Sequence, residues 1–175
     1  MLTRAVHIAA VVVSGTFVFD FCQNMAGFAT LSAPEGTDVA AGSVITMLHA
    51  EALHTSPENH SAVFQHYGCD EETLRGCMEL NTYVTKGGGA AIDYTPLFTY
   101  AGFRYIQMTG YPGTPDTSTL TAHFVHTDFQ LDNGAISFSD PMLDAVQRIT
   151  RASARSNFMS VPTDCPQRER RGWLG

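Results

Sequence analysis

The side chains best suited to chemistry stand together in Asp164-Cys165-Pro166-Gln167-Arg168-Glu169-Arg170-Arg171-Gly172-Trp173-Leu174-Gly175. Two carboxylates, three arginines and the only tryptophan of the chain fall in this stretch. A carboxylic acid can protonate a leaving oxygen or bind hydroxyl groups. An indole face can stack on a sugar ring. The mixture suits a carbohydrate site better than a core. It is also the last stretch of the sequence, so the rest of such a site is expected outside this chain.

Other chemistries have less support. The formal net charge is −7 and Lys86 is the only lysine. Phosphate-backbone binding needs clustered Lys and Arg, so nucleic acid is not an expected partner. Of the four cysteines, Cys22, Cys69, Cys77 and Cys165, no two form a Cys-x-x-Cys pair, and a zinc site is not expected. Cys69 and Cys77 could close a short loop in an oxidising compartment, but free thiols are the simpler reading. Cys165 has no evident partner base and reads as a small packed hydrophobe. His123 and His126 are three apart on an expected strand, which sends them to opposite faces, so they cannot share a metal. Asp20, Gln23 and Asn24 are expected to satisfy backbone groups.

The elements that must position the terminal segment change character along the chain. From residue 5 to about 128, short β-branched and aromatic runs alternate with Gly, Pro and Asn, the pattern of strands. The expected strands are 17–21, 27–31, 43–50, 77–85, 98–100, 103–109 and 120–128. In the third, Val44, Thr46 and Leu48 share one face, and Ile45 and Met47 the other. Gly87–Gly89 suit a loop. Residues 54–59 read as a loop, and 70–75 as a helical turn. The start, Met1 to Val13, faintly resembles a secretory signal but is too short to span a bilayer and reads better as a strand. It leaves secreted and cytoplasmic locations both open. Many short strands imply a β-sandwich or jelly roll. At Ser139-Asp140-Pro141 an oxygen cap followed by proline predicts a helix of about 16 residues. Met142, Val146, Ile149 and Ala152 or Ser153 recur along it at helical spacing. That stripe must be buried, either on the β domain or in a helical domain beyond this chain.

Several segments, in order, resemble the motifs of α-L-rhamnosidases of glycoside hydrolase family 78. They are Phe19-Asp20-Phe21-Cys22-Gln23-Asn24-Met25-Ala26-Gly27, His49-Ala50-Glu51-Ala52-Leu53, Phe98-Thr99-Tyr100-Ala101-Gly102-Phe103-Arg104-Tyr105, Val125-His126-Thr127-Asp128, Ser139-Asp140-Pro141-Met142-Leu143 and 157–168. The resemblance implies a mainly β chain: a concanavalin-like sandwich over residues 5–132, then the first helix of an incomplete (α/α)6 barrel over 133–175. It implies hydrolysis of terminal α-L-rhamnose with inversion, on a rhamnose-containing glycoside or polysaccharide, with no cofactor, metal or membrane. Inversion needs an acid and a base about 6.5–9.5 Å apart. Glu169 matches the general acid, Asp164 a carboxylate that binds sugar hydroxyls, and Trp173 an aromatic wall. Arg168 could hold Asp164 or a hydroxyl. The family's base and a further aspartate would follow Gly175. A working Glu169 needs its proton held by burial or a neighbouring carboxylate, with Arg168 and Arg170 turned away. Cys22 stands where the family has glycine, and is strained if φ there is positive. Arg171 stands where the family has an apolar residue. The alternative is a non-catalytic carbohydrate-binding or interaction module, or the product of a degenerate gene. In such a module residues 157–175 should dock on the sandwich, and in the enzyme they should be poorly supported when alone.

Overall fold

The computed structural model describes residues 2–3, 7–13, 15–37, 40–54, 63–65, 79–128, 134 and 136–173. Twelve strands and one helix lie in these ranges. They are β1 (Leu2–Thr3), β2 (His7–Val13), β3 (Thr16–Ala33), β4 (Val44–Ala50), β5 (Ala52–His54), β6 (Val63–Gln65), β7 (Leu80–Val84), β8 (Ile92–Tyr94), β9 (Ala101–Thr109), β10 (Leu120–Phe124), α1 (Pro141–Ser156), β11 (Phe158–Met159) and β12 (Val161–Pro162). The chain is mainly β, as its turn-punctuated runs predict.

One antiparallel sheet of eight strands dominates, in the order β1-β10-β3-β9-β4-β7, with β2 and β8 also pairing to β3. The first half of β3 pairs with β2 and β9, and its second half with β10 and β8. A strand shared in this way curls the sheet around one core. That core holds Phe17, Phe19, Phe21, Leu31, Ile45, Met47, Phe103, Ile106, Met108, Leu120 and Phe124. Burying each such side chain stabilises the fold by about 1.5–3 kcal/mol. Ile45 and Met47 are fully buried while Val44 is half exposed, the alternation read from the sequence.

The same alternation sets aside an outer face. Phe19, Phe21 and Phe103 point into the core, so Asp20, Gly102 and Arg104 lie on the other side. Asp20 and Arg104 form a two-pronged ion pair there, with both bonds at 2.8 Å. A smaller cluster of Val18 and Ala50, with Tyr105 against it, packs nearby.

Three expectations need correction. The runs 17–21 and 27–31 are one strand, because β3 bulges between Asp20 and Met25 instead of ending. The run 98–100 is not a strand. Phe98 is exposed with φ 55°, which breaks extended pairing before β9 begins at Ala101. Last, β10 ends at Phe124, not 128. The short strand β8 went unread. The suggested loop at 54–59, the turn at 70–75 and the Cys69–Cys77 pairing lie, but for His54, outside the described residues. His7–Val13 forms a strand, and Gly87–Gly89 all have positive φ.

The bulge in β3 places Cys22 at φ 62°, the left-handed value expected to strain a cysteine. Asp20 Oδ1 accepts a hydrogen bond from the Cys22 N–H at 2.7 Å and holds the turn. Cys22→Gly is expected to raise stability by about 0.5–1 kcal/mol, because glycine adopts this conformation without a Cβ clash. A urea midpoint that stays put or falls would show that the turn carries no strain.

Candidate active site

Helix α1 starts as its sequence predicts. Asp140 is the N-cap, its carboxylate accepting from Met142 N at 2.8 Å, and Pro141 follows at the first turn. Its apolar stripe does not pack on the sheet: Met142 and Ile149 are 69% and 67% exposed. Only its C-terminal end closes on the β domain, where Ser156 is buried.

After the helix the chain makes a small knot of hydrogen bonds. The Asn157 carbonyl accepts from Thr163 N at 2.7 Å and Thr163 Oγ1 at 3.1 Å. Strands β11 and β12 form a hairpin turning at Ser160, and Thr163 pairs with Gly172. Asp164 N donates to Arg171 O, and Arg171 N donates to Asp164 Oδ1, both at 3.2 Å. The loop 164–171 is therefore pinched at its base and carries Arg168 and Glu169 beyond the pinch.

This segment docks on the outer face. Thr127 N donates to Phe158 O at 2.8 Å, and Ser160 N donates to Thr127 Oγ1 at 2.6 Å. Pro166 lies so close to Gly102 that a Cβ there would sit 2.9 Å from Pro166 Cγ. Arg170 reaches Glu79 at 2.8 Å. The segment is thus docked, as expected of a module, and not poorly supported, as expected of the enzyme, because it ties itself to the sheet through contacts that strand periodicity does not reveal.

Asp164 and Glu169 come together. A hydrogen bond with Glu169 holds Asp164 below the usual carboxylate range; burial opposes this, and backbone donors at Cys165 and Arg171 add to it. Of the two arginines that should face away, Arg170 does: Glu79 holds it, its Nε donates to Pro166 O at 2.8 Å, and its guanidinium lies 5.0 Å over the Tyr100 ring. Arg168 does not. Its Nη2 sits 3.6 Å from Glu169 Oε2, an ion pair too long for a hydrogen bond. Trp173 is 74% exposed, with its N–H backbone tied to Pro162 O.

Sequence reasoning missed the residues that face this segment from the β domain. A cavity of about 390 Å³ lies between the β3 bulge, α1 and the terminal loop. Gln23, Asn24, Glu51, Ser153, Asn157, Asp164 and Gln167 line it. Asn24 therefore does not serve the backbone as expected: its Nδ2 donates to Glu51 Oε1 at 2.7 Å. Burial raises the Glu51 pKa, and the Asn24 bond partly offsets this. Asn157 Oδ1 and Gln167 Oε1 are buried and have no hydrogen-bond partner among the described residues. Free acceptors in a cavity of mixed lining, with Ile149, Ala152 and Pro166 beside the polar groups, suit a ligand that offers both hydroxyl donors and an apolar face. Glu79 is the least readable of these residues. Desolvation raises its pKa from an ordinary 4.5 to about 7, against the lowering effects of Gly102 N–H and Arg170.

His123 and His126 spend ring nitrogens on Thr30 Oγ1 at 2.9 Å and Thr127 O at 2.7 Å. No metal-holding group of three or more His, Cys, Asp or Glu occurs among the described residues. Cys22 and Cys165 are free thiols.

The bacterial α-L-rhamnosidase concanavalin-like domain matches residues 11–126, and the six-hairpin glycosidase domain of the same enzymes matches 132–175. The chain belongs to the α-L-rhamnosidase family. An α-L-rhamnosidase of Streptomyces avermitilis is 36% identical over 166 residues, covering 92% of this chain and 14% of that protein. One from Formosa agariphila is 33% identical, covering 92% and 16%. Among solved structures, the α-L-rhamnosidase of Dictyoglumus thermophilum superposes with a TM-score of 0.82 at 31% identity, covering 98% of this chain and 18% of that one. The Streptomyces avermitilis enzyme complexed with L-rhamnose gives 0.76 at 32%, covering 99% and 15%. The fold is thus a concanavalin-like domain followed by the start of a six-hairpin domain. The chain spans 14–16% of the length of these curated relatives.

Proposed function

We propose that this chain is the β domain (5–132) and acid-bearing opening (133–175) of an inverting α-L-rhamnosidase. Its substrate is a glycoside or polysaccharide ending in α-L-rhamnose. Glu169 protonates the departing glycosidic oxygen. Asp164 holds sugar hydroxyls, Arg168 steadies Asp164 or a hydroxyl, and Trp173 forms a wall against the ring. The base that activates water comes from a part of the enzyme outside these 175 residues. The observation that carries this reading is the carboxyl pair itself. Two carboxyl groups brought against each other are the arrangement from which one can hand a proton to a leaving oxygen. The exposed stripe on α1 supports it as well, since the first helix of a barrel offers such a face to later hairpins.

The docking of residues 157–173 on the sheet favours a second reading, a non-catalytic module that binds carbohydrate. Turnover separates the two. The purified chain is expected to release no nitrophenol from an aryl α-L-rhamnoside. Exchanged for the matching segment of the Streptomyces avermitilis relative, it should support hydrolysis, with β-L-rhamnose as the first sugar formed. Glu169→Gln in that exchange should cut kcat about 100-fold or more. An exchange that stays inactive although folded, or a Gln variant as fast as its parent, overturns the acid assignment.

A further inference from the structure

Glu79 takes no part in the chemistry proposed above, yet it is the acidic group most firmly built into this site. Its side chain is 5% exposed. One oxygen, Oε1, accepts from Gly102 N at 3.1 Å and from Arg170 Nη2 at 2.8 Å. Its backbone carbonyl accepts from His49 N and lies 3.0 Å from His49 Nδ1. The other charged or titratable groups facing it are Glu51 and Tyr100. Arg170 follows Glu169 in the chain and has φ 53°, a left-handed turn that sends its side chain back to the sheet. With Glu79 and Tyr100 absent, the nearest carboxylates to that guanidinium along its own segment would be Asp164 and Glu169. An arginine on a general acid favours the ionised form and removes the proton the acid must give.

We propose that Glu79 is a positioning residue for the acid segment: its Oε1 draws the Arg170 guanidinium out of the Asp164–Glu169 carboxyl pair and fastens the 166–170 turn to the sheet. The catalytic meaning rests on Glu169 being the acid, but the placement of Arg170 does not. Glu79 is thus the β domain's hold on the chemistry of the next domain.

The test is the titration of Glu169, followed by its side-chain carboxyl carbon-13 signal in the 175-residue chain. Glu79→Met removes the acceptor and frees Arg170, so the Glu169 midpoint should fall by about 1 pH unit or more, a tenfold weaker hold on the proton. Glu79→Gln keeps an acceptor oxygen and should restore the parent midpoint. The double variant Glu79→Met/Arg170→Gln should restore it too, because no guanidinium is left to move. A parent-like midpoint in Glu79→Met, or an equal fall in Glu79→Gln, overturns the proposal. Should Glu79→Met fail to fold, Arg170→Gln alone decides. It should leave Glu169 unmoved, and a rise of a unit would mean that Arg170 already sits on the acid. An inactive exchange with the Streptomyces avermitilis relative would sink the functional reading and leave these midpoints as they are.

Discussion

Gly27→Ala is expected to remove about 3–5 kcal/mol of stability and to unfold much of the β domain near room temperature. Gly27 sits inside β3, paired to Phe124 of β10 on one side and to Ala101 of β9 on the other. A Cβ there would land on the His123 carbonyl oxygen, with the His123 carbonyl carbon 3.0 Å away. Both obstacles are backbone, so no rotamer change relieves them. Moving β10 away would break its hydrogen bonds to β3, and moving β3 would press it into β9. The site is lost with the fold, since the same strand carries Asp20, Gln23 and Asn24. Gly134→Ala is the control, because no described residue lies within 4 Å of a Cβ at that position. Urea unfolding followed by circular dichroism would measure both. A Gly27→Ala midpoint matching that of Gly134→Ala would show that the two strands part without cost.

Much of this arrangement was written in the motifs, in a form that only the structure decodes. The motif residues are tied to one another. Asp20 of the first motif grips Arg104 of the third, and Asn24 of the first holds Glu51 of the second. Gly102 of the third leaves room for Pro166 of the last, while Thr127 of the fourth binds Phe158 and Ser160 of the last. The helix start was legible because Asp140 and Pro141 act on their own neighbours. So was the strain at Cys22, since a glycine position turns on local φ. What escaped reading depends on distant partners. Glu79 and Arg170 are 91 residues apart, and nothing in either neighbourhood announces the other. The run Phe98-Thr99-Tyr100 has strand composition, yet one left-handed residue turns it away from the sheet. The residue types of the acid segment pointed to a sugar site, but its docking came from a glycine, a threonine and a buried glutamate elsewhere.

Stability should fall as pH rises from about 5 to 8, and Glu79 should be the cause. Burial raises its pKa from 4.5 to about 7 even though Arg170 lies 2.8 Å away. Desolvation of the carboxylate therefore outweighs the attraction of the guanidinium, as is common for buried pairs. Between those two values the folded chain holds a proton that the unfolded chain has released. The folded state is then the one that binds more protons, so its stability declines with rising pH. The contribution is fully present below about 4.5 and lost as pH climbs through about 7. At 1.36 kcal/mol per unit the full change is about 3 kcal/mol. Glu79→Gln keeps an oxygen acceptor for Gly102 N and Arg170 but carries no charge to bury. It should match the parent at pH 5 and exceed it by up to about 3 kcal/mol at pH 8. Urea unfolding of both chains at the two pH values gives the difference directly, and other titrating groups cancel in it. A parent that gains on the variant as pH rises would mean that the ion pair outweighs desolvation. Glu79 would then hold Arg170 by charge, and the hold would tighten, not loosen, above neutrality.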